Sequence, residues 1–231
     1  MDWNKELIEL PGWKEEIQNR EEKEVLAKRI ATNVKEGDII GFGSGSTSYL
    51  AAIEINKYAK ENGINFTAIP TSYEIEMLCN YLGIKTTSIL DKKPDWCFDG
   101  ADEVDVNNNM LKGRGSHLYR EKLNIKSSGK TYILIDNSKM VNNLGEKFYV
   151  PIEIIPKSIN YVREELVRLG AEKIILRKAI SKDGPVITEN GNFIIDVKFN
   201  EIRNTLEKDI KQITGVLESG LFIGYNVEII R

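Results

Sequence analysis

Apolar positions along the chain follow two different periods. Across residues 15–35, Ile17, Val25, Leu26, Ile30 and Val34 recur near helical spacing. That predicts one or two amphipathic helices, preceded by a first dozen residues that read as an appendage. The apolar run at 38–42 predicts a strand, and residues 46–58, with Leu50, Ile53 and Tyr58, predict a helix. The unit then repeats, with FTAIP at 66–70 before a helix over 73–82, DWCF at 95–98 and TYILI at 131–135. Strands alternating with helices predict an α/β fold with an open, mostly parallel, doubly wound sheet of Rossmann-like type. Ligands bind such sheets beyond the carboxyl ends of the strands, which marks Gly43, Thr71, Asp99 and Asp136.

Beyond Val150 the pattern changes. FYVPIEIIP reads as a strand, residues 158–169 as a helix through Ile159, Val162 and Leu166, and KIIL at 173–176 as a strand. PVIT and FIIDVKF flank Asn190-Gly191, a hairpin dipeptide, and residues 200–211 regain helical spacing. With a last strand near 215–221, the order is β-α-β-β-α-β, that of a smaller ferredoxin-like α+β domain. The expected division is a larger α/β domain over 1–147, completed by 215–231, and the smaller domain over 148–214. The tail YNVEII is expected to rejoin the first sheet.

Composition narrows the chemistry. With 231 residues, 41% of them hydrophobic, the chain can bury a substantial core. Its 32 basic and 35 acidic residues are interspersed, which argues against a nucleic-acid partner. No apolar run approaches the roughly 18 residues of a membrane span, and the first residues lack the order of a signal peptide, so the expected location is cytoplasmic. Two cysteines, Cys79 and Cys97, and the single His117 speak against a disulfide framework or a zinc site. Acid–base chemistry then falls to carboxylates and lysines.

Three motifs carry candidate chemistry. Gly41-Phe42-Gly43-Ser44-Gly45-Ser46-Thr47 is a glycine-rich turn from strand to helix, where backbone N–H groups and hydroxyls suit a phosphate. It has neither the lysine of a nucleotide P-loop nor the third glycine of a dinucleotide fingerprint, and an ordinary capped turn is the plainer reading. The second, Asp99-Gly100-Ala101-Asp102-Glu103-Val104-Asp105, gathers four carboxylates at a strand end. Such a cluster is held for a cation, a sugar hydroxyl or a proton, or is simply a solvated turn.

The third runs from Lys112 through Gly113, Arg114 and Gly115 to Glu121 and Lys122. If the loop folds back, a carboxylate base and an ammonium can face one pocket and abstract a proton beside a carbonyl. Read alone, the same residues are surface charges around an anion-binding loop. Lys139, after Asp136-Asn137-Ser138, stands at another strand end, and His117 reads as a packing or positional residue.

GSGST, DGADEVD, KGRGSHLYREK, IDNSK, TENGN and GVLESGLF stand in the order and spacing of ribose-5-phosphate isomerase A. From about residue 23 to 222 the chain resembles that family. The resemblance implies interconversion of D-ribose 5-phosphate and D-ribulose 5-phosphate through a cis-enediolate, with no metal and no organic cofactor. It implies Glu121 as the general base and Lys112 as the oxyanion's partner, with Asp99 and Asp102 holding hydroxyls and moving protons at oxygen. For substrate binding it implies Lys23, Ser44, Gly45, Ser46, Thr47, Gly100, Ala101, Gly113, Arg114, Gly115 and Lys139. The implied partner is a phosphosugar, and the implied assembly a homodimer or homotetramer.

The second glycine loop departs from the family pattern in its bulky Arg114, His117 and Tyr119, which are expected to point away from the reacting carbon or toward a neighbouring subunit. The extension before Lys23 is longer than the pattern needs. Two other readings are a non-catalytic phosphosugar-sensing domain, which normally follows a helix-turn-helix segment, and an isomerase of a different phosphosugar.

Overall fold

In a computed structural model of the chain, which describes residues 17–231, helices and strands alternate as the periodicity predicts. The chain forms α1 (Arg20–Ala31), β1 (Ile39–Phe42), α2 (Gly45–Asn62), β2 (Thr67–Pro70), α3 (Tyr73–Leu82), β3 (Lys85–Thr86) and β4 (Trp96–Gly100). It continues with β5 (Glu103–Val104), β6 (Met110–Leu111), α4 (Leu118–Ser127), β7 (Lys130–Leu134), β8 (Val150–Ile154), α5 (Ile159–Arg168) and β9 (Ala171–Leu176). The last elements are β10 (Phe193–Phe199), α6 (Leu206–Lys211), β11 (Val216–Ser219), β12 (Leu221–Phe222) and β13 (Glu228–Ile230). The predicted N-terminal appendage lies outside the described residues.

Two compact units result. The first runs up to Gly100 and adds Arg120–Ser138 and Asn226–Arg231. The second holds Ala101–Tyr119 and Lys139–Tyr225.

The first unit is built on six parallel strands in the order β13-β7-β4-β1-β2-β3. Read from the other edge, the first four follow 3-2-1-4, with β7 and β13 continuing outward, which is the doubly wound arrangement. The order reverses between β1 and β4, so the crevice where such sheets take ligands opens at Gly43 and Asp99. Phe42 and Phe98, neighbours across that pair, are fully buried with ring centroids 4.8 Å apart. Each such side chain contributes roughly 1.5–3 kcal/mol by leaving water. Helix α1 packs Leu26, Ala27, Ile30 and Ala31 into this core. The C-terminal tail rejoins the sheet as β13, parallel to β7.

The ends of α2 and α3 follow from local chemistry. Both stop at a glycine in the left-handed region, Gly63 at φ 66° and Gly83 at φ 74°, the ordinary exit for a helix. Ser72 opens α3 by accepting the Ile75 N–H at 3.2 Å. Cys79 and Cys97 are buried and not joined in a disulfide; burial, with Glu76 nearby, pushes the Cys79 thiol up to about 12.

In the second unit β8, α5, β9, β10, α6 and β11 follow the predicted order, and their antiparallel sheet runs β11-β8-β10-β9. Two predicted elements differ. PVIT forms isolated bridges only, at Pro185 and Ile187, and β10 pairs with β9 on one side and β8 on the other. The helix expected over 200–211 starts at Leu206, where the Thr205 hydroxyl donates to Asp209 at 2.9 Å. A small third sheet, β12-β6-β5, belongs to this unit. It carries 101–119, 139–147 and 215–225 into the unit that the sequence reading confined to 148–214. The TENGN turn is tied down by Glu153 near the end of β8, whose Oε1 accepts from Thr188, Asn190 and Asn192 at 2.7, 3.0 and 3.0 Å. Among the described residues no helix is long and apolar enough to cross a membrane.

Candidate active site

The glycine-rich turn leads straight from β1 into α2. Gly43 donates its N–H to the Phe98 carbonyl at 2.9 Å, which brings the end of β1 against the end of β4. A Cβ at Gly43 would sit 2.3 Å from the Asp99 carboxyl carbon and 2.7 Å from its Cα. Glycine is therefore required for Asp99 to occupy the strand end. Asp99 is buried; its Oδ1 accepts the Gly100 N–H at 2.7 Å and faces the Ser48 hydroxyl at 3.4 Å. Ser48, the next residue along α2 after the motif, had no separate signal in the sequence.

At the amino end of α2 the capping position is unusual. Ser44 is the N-cap, but its hydroxyl makes no capping bond and donates instead to the Glu121 carboxylate of α4. The first turn of α2 carries no acidic side chain of its own, so its N–H groups and the positive end of the helix dipole are not offset from within the turn. Lys23 of α1 is buried and donates to the Ser46 hydroxyl at 3.1 Å. Thr47 approaches Gly100, whose added Cβ would stand 3.7 Å from the Thr47 Cβ. An ammonium, hydroxyls and helix N–H groups at one helix end match a phosphate in charge and donor count.

Glu121 is itself buried, on the first turns of α4. One turn further along the helix, buried Asn124 donates to the Ile69 carbonyl of β2 at 3.0 Å. A Cβ at Gly41 would lie 3.2 Å from that Asn124 amide and 2.7 Å from the Cys97 Cβ, so the first glycine of the motif lets α4 seat on the sheet. The first unit thus brings together Lys23, Ser44, Ser46, Thr47, Asp99, Gly100 and Glu121.

Ala101, Asp102, Lys112, Gly113, Arg114, Gly115 and Lys139 fall in the second unit. The four carboxylates of the acidic motif have separate partners. Asp102 accepts the Arg114 N–H at 3.2 Å. Glu103, fully buried, accepts the N–H groups of Gly145, Lys147 and Phe148. Asp105 closes a turn through the N–H groups of Asn107 and Asn109 and the Asn109 amide. Among the described residues no three His, Cys, Asp or Glu side chains are gathered as a metal ion requires.

Lys112 is buried, its N–H bonded to the Gly220 carbonyl at 2.9 Å and its Nζ 5.8 Å from the centre of the Phe222 ring. At Gly113, φ is 107° and a Cβ would meet the Leu118 and Pro151 side chains at 2.9 Å, so any other residue there is strained and crowded. Two of the three bulky side chains of the loop have partners within this unit. The Arg114 guanidinium lies 4.5 Å over the Phe148 ring, and His117 Nε2 stands 3.4 Å from Glu189. Lys139 ends a 3₁₀ turn that Asp136 opens by accepting from the Ser138 N–H at 2.9 Å and from its hydroxyl.

Comparison with known proteins gives the family of the chain. Residues 67–231 match the family model described as ribose 5-phosphate isomerase A (phosphoriboisomerase A). The ribose-5-phosphate isomerase A of a Synechococcus species is 40% identical over 206 residues, covering 87% of this chain and 88% of the relative. The structure of ribose 5-phosphate isomerase A from Methanocaldococcus jannaschii superposes with a TM-score of 0.88 at 37% identity, over 92% of this chain and 94% of that one. A D-ribose-5-phosphate isomerase structure in complex with phospho-erythronic acid gives 0.86 at 37% identity, over 92% and 96%. The chain belongs to the ribose 5-phosphate isomerase A family.

Proposed function

We propose that the protein is an aldose–ketose isomerase that interconverts D-ribose 5-phosphate and D-ribulose 5-phosphate, a step of the non-oxidative pentose phosphate pathway. The observation that carries this reading is the Ser44 hydroxyl bonded to the buried Glu121 carboxylate beside an uncapped helix end. A base and an anion site then stand within one side chain's reach, as a reaction on a phosphosugar needs.

In the aldose-to-ketose direction Glu121 takes the proton from C2. The C–H electrons form the C1=C2 bond, and the carbonyl electrons move to O1. Glu121 returns a proton to C1, while the O2 proton is transferred to O1 and C2 becomes the carbonyl. Lys112 balances the enediolate charge, and Asp99 and Asp102 hold hydroxyls, assist ring opening and move the proton between oxygens. Lys23 with Ser44, Gly45, Ser46 and Thr47 holds the phosphate, and Gly100, Ala101, Gly113, Arg114, Gly115 and Lys139 complete the binding set. Orientation of the base and donors aimed at developing charge supply most of the barrier reduction, each worth several kcal/mol in typical enzymes. That a related isomerase is found with phospho-erythronic acid, a phosphorylated sugar acid, agrees with an anionic site for such a chain. Proton transfer needs no organic cofactor. A cytoplasmic homodimer or homotetramer is part of the same reading.

The test is incubation with ribose 5-phosphate in deuterated water with EDTA, followed by NMR. Ribulose 5-phosphate carrying solvent-derived label supports the reading. Tight binding of the sugar phosphate without conversion overturns it in favour of a sensor or of another phosphosugar.

A further inference from the structure

The loop that carries Lys112 is held by a side chain 65 positions away in sequence, the first residue after β9. Arg177 Nη1 donates to the Gly113 carbonyl at 3.0 Å, the Arg114 carbonyl at 2.9 Å and the Ser116 hydroxyl at 3.0 Å. Its other edge is gripped by Asp196 of β10: Nε donates to Oδ2 at 2.9 Å, and Nη2 donates to Oδ1. This two-point contact fixes the plane of the guanidinium, as a lysine cannot. The backbone of Arg177 is fixed as well, with its N–H bonded to the Ile194 carbonyl and its own carbonyl to the Val186 N–H.

The loop needs such a holder. Ser116 lies at φ 68°, where a residue with a side chain is disfavoured, next to Gly113 at 107°, a conformation that glycine adopts freely. Arg177 binds the oxygens of both residues, so the strained conformation and the clamp are one arrangement. The Lys112 N–H is fixed from the other side by the Gly220 carbonyl.

We infer that Arg177, oriented by Asp196, is a positioning residue of the isomerase reaction, acting through the 113–116 loop on Lys112. This rests on the reading of Lys112 as the partner of the enediolate charge. The guanidinium touches no reacting atom. It sets where the loop presents the ammonium, and misplacement on the ångström scale can cost about 100-fold in rate.

The test is steady-state kinetics with melting temperatures for Arg177→Met, Asp196→Asn and Lys112→Ala, singly and with Arg177→Met combined with Lys112→Ala. Arg177→Met is expected to lower kcat about 10- to 100-fold while KM moves less than about threefold. Asp196→Asn, which keeps the fold if the larger change does not, is expected to show the same kcat-only signature at about three- to tenfold. In the Lys112→Ala background, Arg177→Met is expected to lower kcat less than about twofold further. Losses that multiply in the double variant, or a KM rise matching the fall in kcat, show a merely structural role and overturn the inference. A parent-like kcat in Arg177→Met beside a crippled Lys112→Ala overturns the inference alone. A parent-like Lys112→Ala overturns the reading of Lys112, and the inference with it.

Discussion

The Ser44 hydroxyl spends its hydrogen bond on the Glu121 carboxylate and none on the helix it begins. Ser72, at the same position of α3, does cap, accepting the Ile75 N–H. Two serines in one structural position therefore have different jobs. Ser72→Ala is expected to cost about 1 kcal/mol of stability and leave activity alone. Ser44→Ala is expected to cost less than about 0.5 kcal/mol in urea unfolding, yet to lower kcat/KM about 10- to 100-fold through the lost bond to a charged group. Equal stability losses with equal activity would show that Ser44 is only a cap.

Gly43 has no alternative at the strand crossing. Because its Cβ would lie 2.3 Å from the Asp99 carboxyl carbon and 2.7 Å from its Cα, an added methyl must push backbone, not a flexible tip. Gly43→Ala is expected to lower stability by about 1–3 kcal/mol and, by displacing Asp99, to lower kcat as well. Urea unfolding and initial rates on the same preparation measure both. A variant with parent stability and rate would show that the β1 and β4 ends have room to part.

The proposed role of Lys23 in holding the phosphate is open to the same kind of test. It is buried with its ammonium 3.1 Å from the Ser46 hydroxyl, at the amino end of α2. Lys23→Met keeps the stem and removes the charge. KM for ribose 5-phosphate is expected to rise about tenfold or more with kcat within about threefold, and the residual rate on unphosphorylated ribose is expected not to change. A fall in kcat on both sugars would place Lys23 in the chemistry instead.

What the sequence made legible depended on range. The turn at Gly43 and the acidic turn at Asp99 stand at strand ends that hydrophobic runs mark locally, so their place in the sheet could be read directly. The bond from Lys23 to Ser46 spans 23 residues and that from Ser44 to Glu121 spans 77, distances over which periodicity says nothing. The family resemblance, not the pattern, nominated those residues for one site. The small sheet of β5, β6 and β12 escaped because strands of two residues show no alternation. Asn190-Gly191 gave a turn, but what holds it is Glu153, a third strand's carboxylate that local turn chemistry does not reveal. Arg177 was invisible for the same reason, since its partners Gly113 and Asp196 are far from it on either side.

The acidic motif invites the assumption that all its carboxylates serve the substrate, and Glu103 separates that assumption from the structure. Its side chain is fully buried and both oxygens are taken, Oε2 by the Gly145 N–H at 2.6 Å and Oε1 by those of Lys147 and Phe148 at 2.6 and 2.8 Å. A glutamine there keeps the shape but turns an amide donor toward one of these N–H groups, leaving at least one buried donor unpaired. Glu103→Gln is expected to lower the unfolding free energy by about 1–3 kcal/mol while kcat of the folded protein stays within about threefold. Asp102→Asn, one residue earlier, whose carboxylate accepts the Arg114 N–H at 3.2 Å and is proposed to serve the substrate, is expected to do the reverse. Measured side by side by urea unfolding and initial rates, a crossing of the two effects divides the motif into a fold-holding and a substrate-facing carboxylate. Parallel effects would mean that Glu103 shapes the site as directly as its neighbour does.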